Sequence, residues 1–239
     1  MSNEVWIELV TQMRELAQTM SDELPNGLHT TRVTQFAAAA VPGAEHAAIS
    51  LIKKSGLPKT IVSTSDVPLK VDQLQYDTGE GPAMQVLRQS DLVWSDDLSN
   101  DTQWPDFGPR AVQITGIRSI VSYRLFLTSE RRAALNLYAS APGAFDELAL
   151  SIGTLFAAYA SLTLLNDLHR DKVMNLERAL ESNREIGCAI GILMARELCT
   201  QDQALQRLTM ASQHTQRKLA DIAETVKQTG RLPLQPKRH

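Results

Sequence analysis

The side chains able to do chemistry in this sequence are few and widely spaced. The five histidines, His29, His46, His169, His214 and His239, stand far apart, and none shares the spacing of a metal-ligand pair. Gly79-Glu80-Gly81-Pro82 lacks the third glycine and the Lys-Ser/Thr pair that a phosphate-binding loop needs. Of the two cysteines, Cys188 and Cys199, the first has no histidine near it in sequence and reads as a small core residue. The acidic run Asp96-Asp97-Leu98-Ser99-Asn100-Asp101 lacks the alternation and terminal Glu of a calcium loop and reads as a solvated turn. No paired acid and base stand out. No catalytic residue, metal site or cofactor is assigned, and an enzyme is disfavoured.

What remains is a set of donors near the carboxyl end. Arg184, Arg196, Arg207, Arg217, Lys218 and Lys227 are spread over three expected helices. Arg217-Lys218 opens the third of these, beside Gln213, His214 and Gln216. Positive charge at a helix start opposes the macrodipole, so helix stability does not account for the pair. A phosphate contact does, since Arg offers a forked donor set and Lys a point charge; a plain solvated helix start is the other reading. Residues 184–239 contain no aromatic side chain, which disfavours base stacking and favours recognition of a folded hairpin by its backbone and loop shape. The charge balance agrees. Residues 1–183 carry 15 Lys and Arg against 22 Asp and Glu, net −7, whereas residues 184–239 carry 9 against 5, net +4.

The elements that position these groups follow from the period of the apolar residues. The chain has 239 residues, 43% hydrophobic and 21% charged, which is ordinary globular usage. Its longest apolar runs, such as 36–41 and 47–52, read as too short to span a bilayer, and no basic segment and apolar run mark a secretory signal at the amino end. Two cysteines exclude a disulfide scaffold, so a cytoplasmic protein with no membrane partner is expected. A helix is expected over residues 5–20, with Val5, Leu9, Met13, Leu16 and Met20 on one face, and a second before residue 41 with Val33, Phe36, Ala37 and Ala40. Short β-branched or aromatic runs at 47–52, 60–64, 92–94, 119–125 and 133–139 predict five strands, with helices over 81–89 and 104–113. The mix is α+β, around a mainly antiparallel sheet.

From residue 145 onward strand signals stop. A helix over 149–168 meets no breaker before Cys199, and Leu162, Leu165, His169, Val173, Leu176 and Leu180 form an imperfect heptad seam. Asn166, His169 and Lys172 suit a parallel homodimer better than a dry core. Beyond it, Ile186, Ala189, Ile190, Leu193 and Met194 form an apolar face, and Gly187, Gly191 and Ala195 a stripe that predicts close helix–helix approach. Thr200 to Gln203 has the capping-box form, and Gly230 with Pro233 ends a third helix.

The segment from Arg184 through Gly-Ile-Leu-Met194, with Ala204, Leu208, Ala211-Ser212-Gln213 and Arg217-Lys218-Leu219, resembles an ANTAR domain. That family implies a three-helix RNA-binding module that holds tandem stem-loops of a nascent transcript and prevents a terminator hairpin from forming. Many members carry Lys where this chain has Ile190. Leu74-Gln-Tyr76, Gly79-Glu-Gly-Pro82, Trp94-Ser-Asp-Asp-Leu98, Trp104-Pro-Asp-Phe-Gly-Pro109, Gly116-Ile-Arg-Ser119 and Ala134-Leu-Asn-Leu-Tyr138, followed by Pro142-Gly-Ala-Phe145, resemble a GAF domain, which implies an antiparallel sheet that cups a small ligand or dimerises. Tyr76, Trp94 and Tyr123 are the ligand candidates; no cysteine lies in residues 1–187, so thioether attachment of a bilin is excluded.

The expected organisation is a sensor or dimerisation domain over 1–160, a helical connector over 161–183, an RNA-binding module over 184–230 and a tail over 231–239. The expected function is RNA-binding transcription antitermination under GAF control, with Arg184, Arg207, Gln213, Arg217, Lys218 and Lys227 as RNA contacts. The alternative is a DNA-binding or purely protein-docking signalling protein.

Overall fold

The computed structural model describes residues 28–53, 56–127 and 131–233, together with Ile7, Val10, Thr11, Arg14 and Gln18. The five apolar positions of the expected first helix lie outside these residues, as does His239. The chain divides into two compact units, residues 1–169 and 170–239.

Unit 1 is a five-stranded antiparallel sheet in the order β2-β1-β5-β4-β3, from β1 (His46–Lys53), β2 (Lys59–Ser63), β3 (Leu92–Ser95), β4 (Ser119–Leu125) and β5 (Arg131–Ala139). Strand alternation sends its side chains to two separate cores. On one face Ala47, Ile49, Val121, Tyr123, Leu135 and Leu137 pack against α1 (Leu28–Ala40) through Val33 and Ala37, and against Ile152, Phe156, Ala160 and Leu164 of a long helix, α5 (Glu147–Glu197). On the other, Ala48, Ile120, Ala134 and Tyr138 meet α2 (Asp66–Thr78), α3 (Pro82–Arg88) and α4 (Gly108–Thr115) with Leu98, Trp104, Phe107 and Ile117.

All five expected strands are present. Helix α2 is an addition: Ser65 Oγ accepts from Val67 N at its start, and Gly79 at φ 70° closes it by donating to Gln75 O. One expectation needs correcting. Helix α5 carries a stretch long and apolar enough to cross a membrane, which the reading of short apolar runs missed; half of that stretch is buried within the protein, as in a core helix.

Unit 2 closes around Ala189 and Leu193 of α5, Ala204 and Leu208 of α6 (Gln201–Thr215), and Ile222, Ala223 and Val226 of α7 (Leu219–Thr229). The reciprocal capping box is formed, with Thr200 N donating to Gln203 Oε1 at 3.0 Å and Gln203 N to Thr200 Oγ1 at 3.4 Å. At the far end Arg196 Nη1 donates to Gly230 O at 2.9 Å and so occupies orphan acceptors beyond the last turn of α7.

Candidate nucleic-acid interface and sensor face

Unit 2 presents its cations in two states. Lys227 Nζ lies 2.8 Å from both carboxylate oxygens of Glu185, which raises its pKa, and Arg207 is ion-paired with Glu197. Arg184 and Lys218 are exposed and have no ion-pair partner among the described residues. Helix α7 starts one residue later than the sequence suggests, because Lys218 is its N-cap residue. Lysine has no acceptor for the first-turn N–H groups, and no side-chain cap is formed there. Arg217 lies along the same first turns, with Nη2 donating to Asp221 O and Thr225 Oγ1 at 3.3 Å each. The α6–α7 turn is held by Gln216 at φ 53°, whose Nε2 donates to the Gln213 carbonyl at 2.9 Å; the Gln213 side chain is exposed. Gln213, Arg217 and Lys218 are therefore brought to one turn, next to an uncapped helix start. Arg207 and Lys227 are engaged elsewhere.

Two readings of this region change. The small-residue stripe packs against none of the described residues: Gly187 and Gly191 are exposed, and a Cβ at either would meet nothing within 4 Å among them. Each mid-helix glycine costs about 1 kcal/mol relative to Ala, with no compensating contact among the described residues. Cys188 is exposed rather than in the core, because Ala189 and Leu193 take the inward positions. Ile190 is half-buried against the bundle core, where an apolar side chain suits the site better than an ammonium.

In unit 1 the three aromatic ligand candidates are not brought together. Tyr76, on α2, donates to Ser50 Oγ at 2.7 Å and lies 3.1 Å from Thr60 Oγ1. Tyr123 belongs to the opposite face, where its hydroxyl donates to Leu150 O at 3.3 Å. Trp94 is opposite Val121 on edge strand β3, on the Tyr123 side, and is 44% exposed.

The Tyr76 face holds a buried polar cluster that sequence reasoning missed. Asp72 is fully buried and accepts from Thr60 Oγ1 at 2.6 Å, Tyr138 Oη at 2.5 Å, Gln75 Nε2 at 3.1 Å and Ser50 Oγ at 3.3 Å. Burial outweighs these donors and pushes its carboxyl up to about 6. Asn136 Nδ2 donates to Ser50 Oγ at 2.8 Å, but Asn136 Oδ1 and Ser122 Oγ, on directly paired residues of β5 and β4, are buried without a partner among the described residues. Such atoms stand out, because buried polar groups are almost always hydrogen-bonded.

The acidic run is a structured turn. Arg118 holds Asp97 in a two-point pair, at 3.1 and 2.6 Å, and keeps its carboxyl below the usual carboxylate range. Asp101 accepts from Ser95 Oγ at 2.7 Å and from Gln103 N at 2.9 Å. Among the described residues no cluster of three or more His, Cys, Asp or Glu is arranged to hold a metal.

Comparison with known proteins locates both units. A GAF domain family model matches residues 30–164, more than half the chain, and an ANTAR domain model matches residues 174–226. The fold is similar to the GAF domain of a Coxiella burnetii phosphoenolpyruvate-protein phosphotransferase, at 13% identity over 72% of this chain and 99% of that one, TM-score 0.54. It is also similar to the wild-type photosensory core module of a Stigmatella aurantiaca phytochrome, at 11% identity over 90% of this chain and 46% of that one, TM-score 0.57. A third likeness is to the free methionine-R-sulfoxide reductase of Neisseria meningitidis, solved with its substrate, at 13% identity over 72% and 95%, TM-score 0.50. At these identities the likeness is one of fold. No curated protein matches the chain.

Proposed function

The chain belongs to the GAF domain family and carries an ANTAR domain behind its GAF domain, which makes it a signalling regulator built from two regulatory domains; on that premise we propose that it is a transcription antitermination regulator that binds RNA. In this reading residues 184–230 hold tandem stem-loops of a nascent transcript, residues 1–160 sense a small molecule and dimerise, and residues 161–183 connect them. The protein is cytoplasmic, homodimeric and without catalytic activity.

The observation that carries the reading is the α6–α7 turn, where Arg217 and Lys218 flank a helix start with no side-chain cap. Uncapped N–H groups, the positive end of the helix dipole and two cations together suit a phosphate group. Arg184 and Gln213 extend the donor set; Arg207 and Lys227 contribute only by exchanging a carboxylate for a phosphate. Bound protein acts thermodynamically, favouring the RNA fold it prefers over the competing terminator by its difference in affinity. In the sensor unit the sheet face beneath α2, with Tyr76 of that helix and the Ser122 and Asn136 oxygens of β4 and β5 that have no partner among the described residues, offers hydrogen-bonding groups to a small ligand.

Transcription of a template carrying tandem stem-loops before a terminator tests this directly. Adding the full chain raises read-through, and the Lys218→Glu variant does not. Equal read-through with and without protein, with and without extracts of small metabolites, overturns the proposal.

A further inference from the structure

One end of the sheet of unit 1 carries a charge pattern that folding does not explain. Lys53, the last residue of β1, stands directly opposite Arg131, the first of β5, and Lys59 at the start of β2 is paired with Leu51. Strand alternation puts Lys53, Lys59 and Arg131 on one face, that of Leu51 and Ala133. Like charges directly opposite each other destabilise a sheet, and none of the three has an ion-pair partner among the described residues. Residues 46–65 hold three lysines and no Asp or Glu, in a chain whose first 183 residues are net −7. Two large apolar side chains stand at the same end. Leu57, between β1 and β2, is 90% exposed, and Phe126, just past β4, is 65% exposed. Phe126 follows Leu125, which lies in one cross-strand row with Ala133, Leu51 and Lys59.

We infer that this end of unit 1 is a second RNA-binding surface, which takes the phosphates of a single-stranded segment on Lys53, Lys59 and Arg131 and a base on Phe126. This extends the RNA reading above to unit 1 and rests on it. Phosphates supply the counter-charge that the Lys53–Arg131 pairing lacks, and an exposed aromatic ring beside cations holds unpaired bases by stacking. Residues 170–239 contain no Phe, Trp or Tyr, so unit 2 has no stacking group of its own. The course of α5 favours a strand over a flat anionic bilayer. Its Leu150 carbonyl accepts from Tyr123 Oη and its Ser161 Oγ accepts from Phe126 N at 3.0 Å, so the helix runs toward this end of the sheet. Residues 162–169 then extend about 12 Å past the Phe126 contact. A bilayer laid on this end collides with that helix, whereas a nucleic-acid strand passes beside it.

The test measures the affinity of the full chain, by fluorescence anisotropy, for tandem-hairpin RNA with and without a single-stranded uridine tail. The unaltered chain binds the tailed RNA about tenfold more tightly, and the gain shrinks as salt rises. Lys53→Glu with Lys59→Glu removes the gain, Phe126→Ala removes most of it, and both variants bind the untailed RNA within about twofold of the unaltered chain. Lys53→Glu sets a carboxylate opposite Arg131, so it does not lower the melting temperature, and its lost binding is not lost folding. An unaltered chain that binds neither RNA overturns this surface and the RNA reading together. A tail that adds nothing, or variants that keep its gain, overturns this surface and leaves the RNA reading standing. Retention on phosphatidylglycerol vesicles that Lys53→Glu with Lys59→Glu abolishes, while the gain from the tail stays intact, overturns it in favour of a bilayer.

Discussion

Lys227 and Glu185 are 42 residues apart in sequence and joined by two contacts of 2.8 Å, so a cation that looks available from the sequence is already engaged. Arg207 is engaged in the same way with Glu197. The basic face of unit 2 therefore divides into cations paired with a carboxylate and cations, Arg184, Arg217 and Lys218, with no ion-pair partner among the described residues.

Variants on RNA should follow that division. Arg217→Glu and Lys218→Glu each lower affinity across all sequences and reduce the slope of log K against log salt by about 1. Lys227→Ala changes affinity less than twofold, because its ammonium must first leave Glu185. Filter binding at three salt concentrations checks both.

Gly230→Ala should destabilise unit 2. The position is held at φ 70°, where a Cβ is disfavoured by about 1 kcal/mol, and the added methyl would collide with the Arg196 guanidinium. Arg196→Ala frees that space but returns the Gly230 carbonyl to water, so it partly rescues the glycine variant in a thermal melt followed by far-UV circular dichroism.

Gly153→Ala tests how tightly α5 sits on the sheet. Its Cβ would meet the Tyr123 hydroxyl and ring, so about 1–3 kcal/mol of unit 1 stability is lost. Tyr123→Phe removes the first atom in the way and recovers part of the loss in a denaturant titration.

Asp72 gives unit 1 a pH dependence of unusual sign. Its folded pKa of about 6 lies above the ordinary carboxylate value of 3.8, so the protonated form favours folding. The stabilisation is complete below the lower value and is lost as pH rises through the upper, for a total on the order of 3 kcal/mol. The melting temperature of unit 1 should rise between pH 7.5 and 5.5. In Asp72→Asn that rise disappears, and the amide, turned toward the Thr60 and Tyr138 hydroxyls, lowers stability at both values.

The same residue explains what was hard to read in the sequence. Helix α2 buries Asp72 and Gln75 beside Val71 and Leu74, so its inward face is half polar and carries no apolar period. The five strands were legible because each carries a short run of mostly apolar, β-branched or aromatic residues, with Gly, Pro, Asp or Ser at its ends. The three-helix module was legible because each helix has a single apolar stripe. Tyr76 and Tyr123 look alike in sequence but lie on opposite sides of the sheet, since only the register of β4 fixes which way Tyr123 points. The partners of Arg207 and Lys227 were hidden because both ion pairs form between helices.

The most direct test of the central claim is a filter-binding titration of the full chain against tandem-hairpin RNA at two salt concentrations, with duplex DNA as competitor. Saturable binding that weakens with salt, resists the duplex and is lost in Lys218→Glu is the predicted result. Binding that duplex DNA displaces, or that Lys218→Glu leaves unchanged, would contradict an RNA-reading turn between α6 and α7.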